Sequence, residues 1–214
     1  MVVIVPIHYN HKTQEGCFKT MLEQQQTTDA IIVFNDNVLD HLDWDDSTPG
    51  AGSAKIRPYA WQYNQNETPR VVGLPTGFSS ASKGFKTLDR DAKEAIDATI
   101  QRLVVFCRKH PSIRRIIYAA DKNNDKMLGT GIFEVDEQVL KYISTMLWKI
   151  PTLVDDVDLN MKSLEKIRAK ELLLLPRAKL EKEYALLKQI NIAQQRSQPR
   201  TIYTGQKRLH SWIG

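Results

Sequence analysis

The sequence predicts an α/β fold: a sheet with helices packed on it, followed by a C-terminal helical appendage. Two observations predict it. Apolar runs of strand length alternate with stretches of helical spacing. Three of those runs, 31–34, 71–75 and 113–120, each end in a polar or glycine turn. Ligands of such sheets bind at the carboxyl ends of the strands. The turns holding Asn35, Asp36 and Asn37, Gly50 to Ser53, Thr76 and Gly77, Asp121, and Gly129 to Phe133 are therefore expected at one edge.

The first strand is expected over 2–7, with Pro6 marking an edge or a strand end. His8 and His11 follow, with no third ligand beside them, and read as loop histidines rather than a metal pair. A short helix over 15–26 then crosses to the run 31–34, whose Ile and Val content suits a strand buried on both faces. After the polar triplet Asn35-Asp36-Asn37 comes an acidic stretch, then Pro49-Gly50-Ala51-Gly52-Ser53. Ala54 to Arg57 reads as the first turn of a helix. A glycine turn at a helix start presents bare N–H groups and a positive dipole end, which suits an anion. The plainer reading is a surface loop.

Val71 to Pro75 is a second buried strand running into Thr76 and Gly77. The strongest helical pattern spans 89–110, with Asp89 as its N-cap and Pro111 just beyond its end. The next strand, 113–120, ends in Asp121-Lys122-Asn123-Asn124-Asp125. Lys126, Met127 and Leu128 interrupt any EF-hand spacing, so no calcium loop is expected. A second GxG turn, Gly129-Thr130-Gly131, leads through Ile132 and Phe133 to a helix that starts at Asp136 or Glu137 and ends before Pro151. An acidic linker over 155–160 precedes two helices over 161–195, with Pro176 at the start of the second. These features suggest an α/β domain over 1–154, a separable helical pair over 155–195 and a basic tail over 196–214.

Hydrophobic residues make up 42% and charged residues 26% of the 214, which describes a globular chain with a real core. No apolar run is long enough for a membrane span, and the start resembles a strand more than a signal peptide. Cys17 and Cys107 lie far apart without metal spacing, so neither a metal site nor a cofactor is expected. A reducing, cytoplasmic setting follows, that of a host cell if the chain is viral. The net charge of +5 is uneven: residues 163–214 hold eleven basic and four acidic side chains, leaving the body at −2. A slightly acidic body must attract anions through local dipoles, so the glycine turns are expected to hold phosphate without basic side chains.

The stretch FNDN followed by GAGSAK, and the later LGTGIFEVDEQVLKYI, resemble macro domains, and among them a bacterial and phage branch with an FNDN or FGSN turn. The resemblance covers roughly 30–149. It implies a three-layer sheet and binding of ADP-ribose or a related NAD-derived nucleotide; some macro domains also hydrolyse an ADP-ribosyl linkage. By position, Asn35 or Asn37 would lie near the distal ribose. Gly50, Ala51, Gly52 and Ser53 would approach that ribose and the phosphates. Gly129, Thr130, Gly131, Ile132 and Phe133 would wrap the pyrophosphate, with the Phe133 ring beside the ribose. The chain departs from the family in the charge of Asp36 and in the acidic stretch 41–48, which would face the ligand.

Glycosidic cleavage needs an ordered water and a carboxylate. Asp36, beside Asn37, is the nearest candidate for that role; its other reading is a turn cap. His41 and Asp121 are further candidates. Two other classes of function stand beside nucleotide binding. The basic tail, with Tyr203 and Trp212 among Arg196, Arg200, Lys207 and Arg208, suits nucleic acid. The helical pair suits a homo-oligomer.

Overall fold

A computed structural model describes residues 1–13, 16–23, 27–43, 47–64, 67–81, 83–130, 133–156 and 161–197. The first strand, β1, is Val3–Ile7, followed by α1 at Phe18–Glu23. Next come β2 at Ala30–Asp36 and the short helix α2 at Val38–Leu42. Two 3₁₀ segments, Gly52–Tyr59 and Trp61–Tyr63, lead to β3 at Val71–Pro75. The remainder is α3 at Arg90–Lys109, β4 at Arg115–Asp121, β5 at Asn124–Leu128, α4 at Glu137–Asp156, α5 at Met161–Leu172 and α6 at Leu175–Ser197. No helix among the described residues is long and apolar enough to cross a membrane.

The α/β prediction holds. Strands β1, β4, β2 and β3 lie in that order and are parallel, and β5 turns back antiparallel on the end of β4. The chain passes from β1 to β2, on to β3, and back to β4 between the first two. Such a reversal opens a crevice at the carboxyl ends of the strands. Alternation along β2 explains why its whole length is buried. Ile31 and Val33 face one layer with α3 and α4, while Ile32 and Phe34 face the other with Phe18 and Leu22 of α1.

Several expected elements differ. The segment after the glycine turn is a 3₁₀ helix, with Pro58 inside it; proline lacks the N–H that an α-helical ladder needs there. Helix α4 does not stop before Pro151 but continues through it, with Ile150 buried and Leu153 and Val154 packed on the core. The hairpin partner β5 carries mostly exposed polar residues and has no apolar alternation to announce it.

The helical pair is present, but it is not set apart from the body. Leu164, Ile167, Leu174 and Ala178 belong to the same buried cluster as α3 and α4. Buried charges add to the contact: Arg102 of α3 donates to Glu171 of α5 at 2.6 Å, and His41 of α2 lies 3.4 Å from the same carboxylate. At the start of α6, Arg177 bonds Asp89 and Asp91 at 2.8 and 2.7 Å and lies over the Phe78 ring. The acidic linker hid this docking, since linker composition says nothing about what lies beyond it.

Candidate functional site

The carboxyl ends of β1, β2 and β4 border a cavity of about 660 Å³. Its wall contains Asn35 from β2, Ala51, Gly52 and Ser53 from the first glycine turn, Asp121 from β4, and Gly129, Thr130 and Phe133 from the second. Eight of the residues singled out in the sequence therefore meet in one place. Gly131 and Ile132 lie outside the described residues. So does the tail beyond Ser197.

Local chemistry shapes the two turns. Gly52 has φ +58°, a left-handed conformation that glycine adopts without steric cost. Its carbonyl accepts a hydrogen bond from the Tyr9 hydroxyl at 2.8 Å, tying the loop after β1 to the glycine turn. Tyr9 in turn packs on Phe18 with ring centroids 5.1 Å apart. At the second turn, Gly129 passes so close to β4 that a Cβ would sit 2.6 Å from the Ala120 carbonyl oxygen. Asn35 joins the two sides: its Nδ2 donates to the Gly129 carbonyl at 2.7 Å. That bond fixes the orientation of the amide. Its Oδ1 is buried and has no partner among the described residues.

Five other candidates are placed elsewhere. The Asp36 side chain is fully covered, and the Arg57 Nη2 and Nε groups donate to its Oδ1 at 2.6 and 3.2 Å. Burial pushes the Asp36 carboxyl above its ordinary value, and Arg57 pulls against it. Arg57 also reaches Asp40 at 3.0 Å and the Thr48 carbonyl at 2.9 Å. Asn37 is the N-cap of α2, accepting from the Asp40 N–H at 2.9 Å. The Thr76 N–H and hydroxyl both donate to the Asp36 carbonyl, at 2.9 and 3.1 Å. The Gly77 carbonyl receives the Val38 N–H at 2.9 Å, and Gly50 packs against Ala54 and Arg57. These residues brace the site from behind.

Of the acidic stretch 41–48, the described residues 41–43, 47 and 48 do not line the cavity, and His41 is buried beside Arg102 at 3.1 Å. Residues 44–46 lie outside the described residues. Nor is the wall without basic side chains, since Lys55 and Lys122 both line it, together with His11 and Asn123. Lys122 and Asn123 form the turn between β4 and β5, so the hairpin that the sequence hid carries them to the site. The paired alanines Ala119 and Ala120 were a readable signal. Small residues after Ile116, Ile117 and Tyr118 leave space where the strand borders the cavity. Arg57 left no such mark, being one basic residue in a polar segment. Among the described residues no cluster of His, Cys, Asp or Glu could hold a metal.

No protein-family model, no curated protein and no solved structure matches the chain.

Proposed function

We propose that this cavity binds ADP-ribose or a related phosphate-bearing nucleotide derived from NAD. The observation that carries the proposal is the meeting of both glycine turns, Asn35 and Phe133 around one space, with Lys55 and Lys122 at its wall. The volume of about 660 Å³ suits a ligand of this class. In this reading the N–H groups at the start of the 3₁₀ segment and the two lysines meet the phosphates. Asp121 accepts from ribose hydroxyls. The Phe133 ring supplies an apolar wall.

The proposal concerns binding first. Asp36 is sealed behind Arg57, so among the described residues Asp121 is the carboxylate on the cavity wall that hydrolysis could use. Calorimetry with ADP-ribose, ADP, NAD and adenosine tests the reading. The expected result is measurable heat with the phosphate-bearing compounds and at least about tenfold weaker binding of adenosine, a difference of about 1.4 kcal/mol. No binding of any of them would sink the proposal. Salt-dependent binding of single-stranded nucleic acid in its place would promote the exposed lysines of α6, Lys179, Lys182 and Lys188, with the tail.

A further inference from the structure

Among the described residues, helix α6 is anchored at its start. Leu174 and Ala178 are buried, and Arg177 is held by α3. Between Lys179 and Ala193 only Glu181 and Ala185 are half-buried, and every other residue is exposed. The exposed residues include Leu180 at 65%, Tyr184 at 73% and Leu187 at 59%. A helical segment standing alone in water at this length is marginal. Large apolar side chains spaced along one of its stripes call for a partner.

The spacing identifies one. Leu180 and Leu187 fall seven residues apart, and Tyr184 and Asn191 fall seven apart between and after them. This is the alternating three- and four-residue step of a heptad, with the leucines at d and Tyr184 and Asn191 at a. The stripe faces away from the docked side, because Leu180, Tyr184 and Leu187 point roughly a third to a half turn from Ala178 at about 100° per residue. Flanking it, Glu183 takes position g and Lys188 takes position e.

We propose that this stripe pairs with the same stripe of a second copy of the chain, in a parallel two-helix coiled coil. In the parallel register, Glu183 of each copy faces Lys188 of the other, a g-to-e pair of opposite charge repeated by the symmetry. Asn191 meets Asn191, so each amide finds its hydrogen-bonding partner; a single polar residue at a is a device that fixes register and orientation. The antiparallel register that sets Tyr184 against Leu187 would set Asn191 against Leu180, leaving an amide on an apolar side chain at some cost. The buried polarity of Asn191 selects the parallel arrangement. The proposal is independent of what the cavity binds.

Sedimentation equilibrium on the full chain, up to about 100 μM, reads the outcome. The expected result is a reversible dimer. Leu180→Glu with Leu187→Glu should give a monomer whose thermal transition is retained, because both side chains are exposed. Glu183→Lys should weaken the dimer about tenfold by setting like charges across both flanks. Adding Lys188→Glu to it should restore affinity to within about threefold. A monomer at the highest concentration would overturn the proposal, whatever else α6 then binds. So would a dimer indifferent to the leucine changes, or a charge reversal without recovery in the double variant.

Discussion

The side-chain amide of Asn35 donates to the carbonyl oxygen of Gly129 across 2.7 Å, joining the end of β2 to a turn 94 residues later. The bond ties the second glycine turn to the end of β2 at the cavity wall. Asn35→Asp would replace the donor with a second acceptor facing that carbonyl. The expected cost is about 1–3 kcal/mol of stability, read from urea unfolding, together with weaker nucleotide binding. A variant with wild-type stability and affinity would show that the bond does not shape the site.

Gly52 offers a sharper separation of shape from stability. At φ +58° an alanine is strained by about 1–2 kcal/mol. Gly52→Ala should therefore lower stability by that amount and weaken ADP-ribose binding more than the strain alone, because the turn lines the cavity. Parallel urea and calorimetric titrations distinguish the two effects. Unchanged affinity would remove this turn from the binding site.

Lys55→Ala and Lys122→Ala test the charge at the wall. Both side chains are exposed, so each variant should unfold like the parent. Each should weaken ADP-ribose binding about threefold to tenfold, with a shallower dependence on salt. Equal affinities across 50 to 500 mM salt, roughly a threefold change in Debye length, would assign the binding energy to other groups.

The pair Arg57 and Asp36 should behave as a unit of stability. Arg57→Met leaves a fully covered carboxylate without its main cation, at an expected cost of about 3–5 kcal/mol. Asp36→Asn should also destabilise, since the amide oxygen can still accept from Arg57 but no longer offsets its charge. The double variant should cost less than the two single changes added together. Additive costs measured by denaturant would mean the two side chains do not depend on each other.

The docking of α5 predicts a response to acid. Burial would push the Glu171 carboxyl up, but Arg102 and His41 draw it down to about 2, from an ordinary value of 4.5. A carboxyl lowered in the folded state stabilises above its unfolded value and loses that contribution as pH falls through the folded one. Glu171 should thus contribute about 3 kcal/mol at neutral pH, lost between about pH 5 and pH 2. Glu171→Gln should flatten this part of the stability profile. A chain ending at Asp156 should lose Leu164, Ile167, Leu174 and Ala178 from the buried cluster and fail to fold cooperatively, which a broad or absent calorimetric transition would reveal. A sharp transition in that shortened chain would show that the helical pair is a separable unit.

The sequence alone determined the alternation of strands and helices, because burial on one or both faces imposes its period on the residues themselves. Val71–Pro75 and the Asp89 cap of α3 were legible for that reason, as were the two glycine turns at strand ends. Eight cavity residues followed from the rule that parallel strands end at a common edge. Which polar residues face that cavity was decided only by tertiary structure. Asn35, Asp36 and Asn37 are consecutive and chemically alike, yet one borders the cavity, one is sealed by Arg57 and one caps a helix. Strand alternation sends neighbours to opposite faces, and the partner that claims each side chain comes from a distant part of the chain. The same holds for Lys122, carried inward by a hairpin, and for Glu171, drawn down onto Arg102 from 69 residues away. Local pattern encodes which segments must be buried; only packing in three dimensions settles against what.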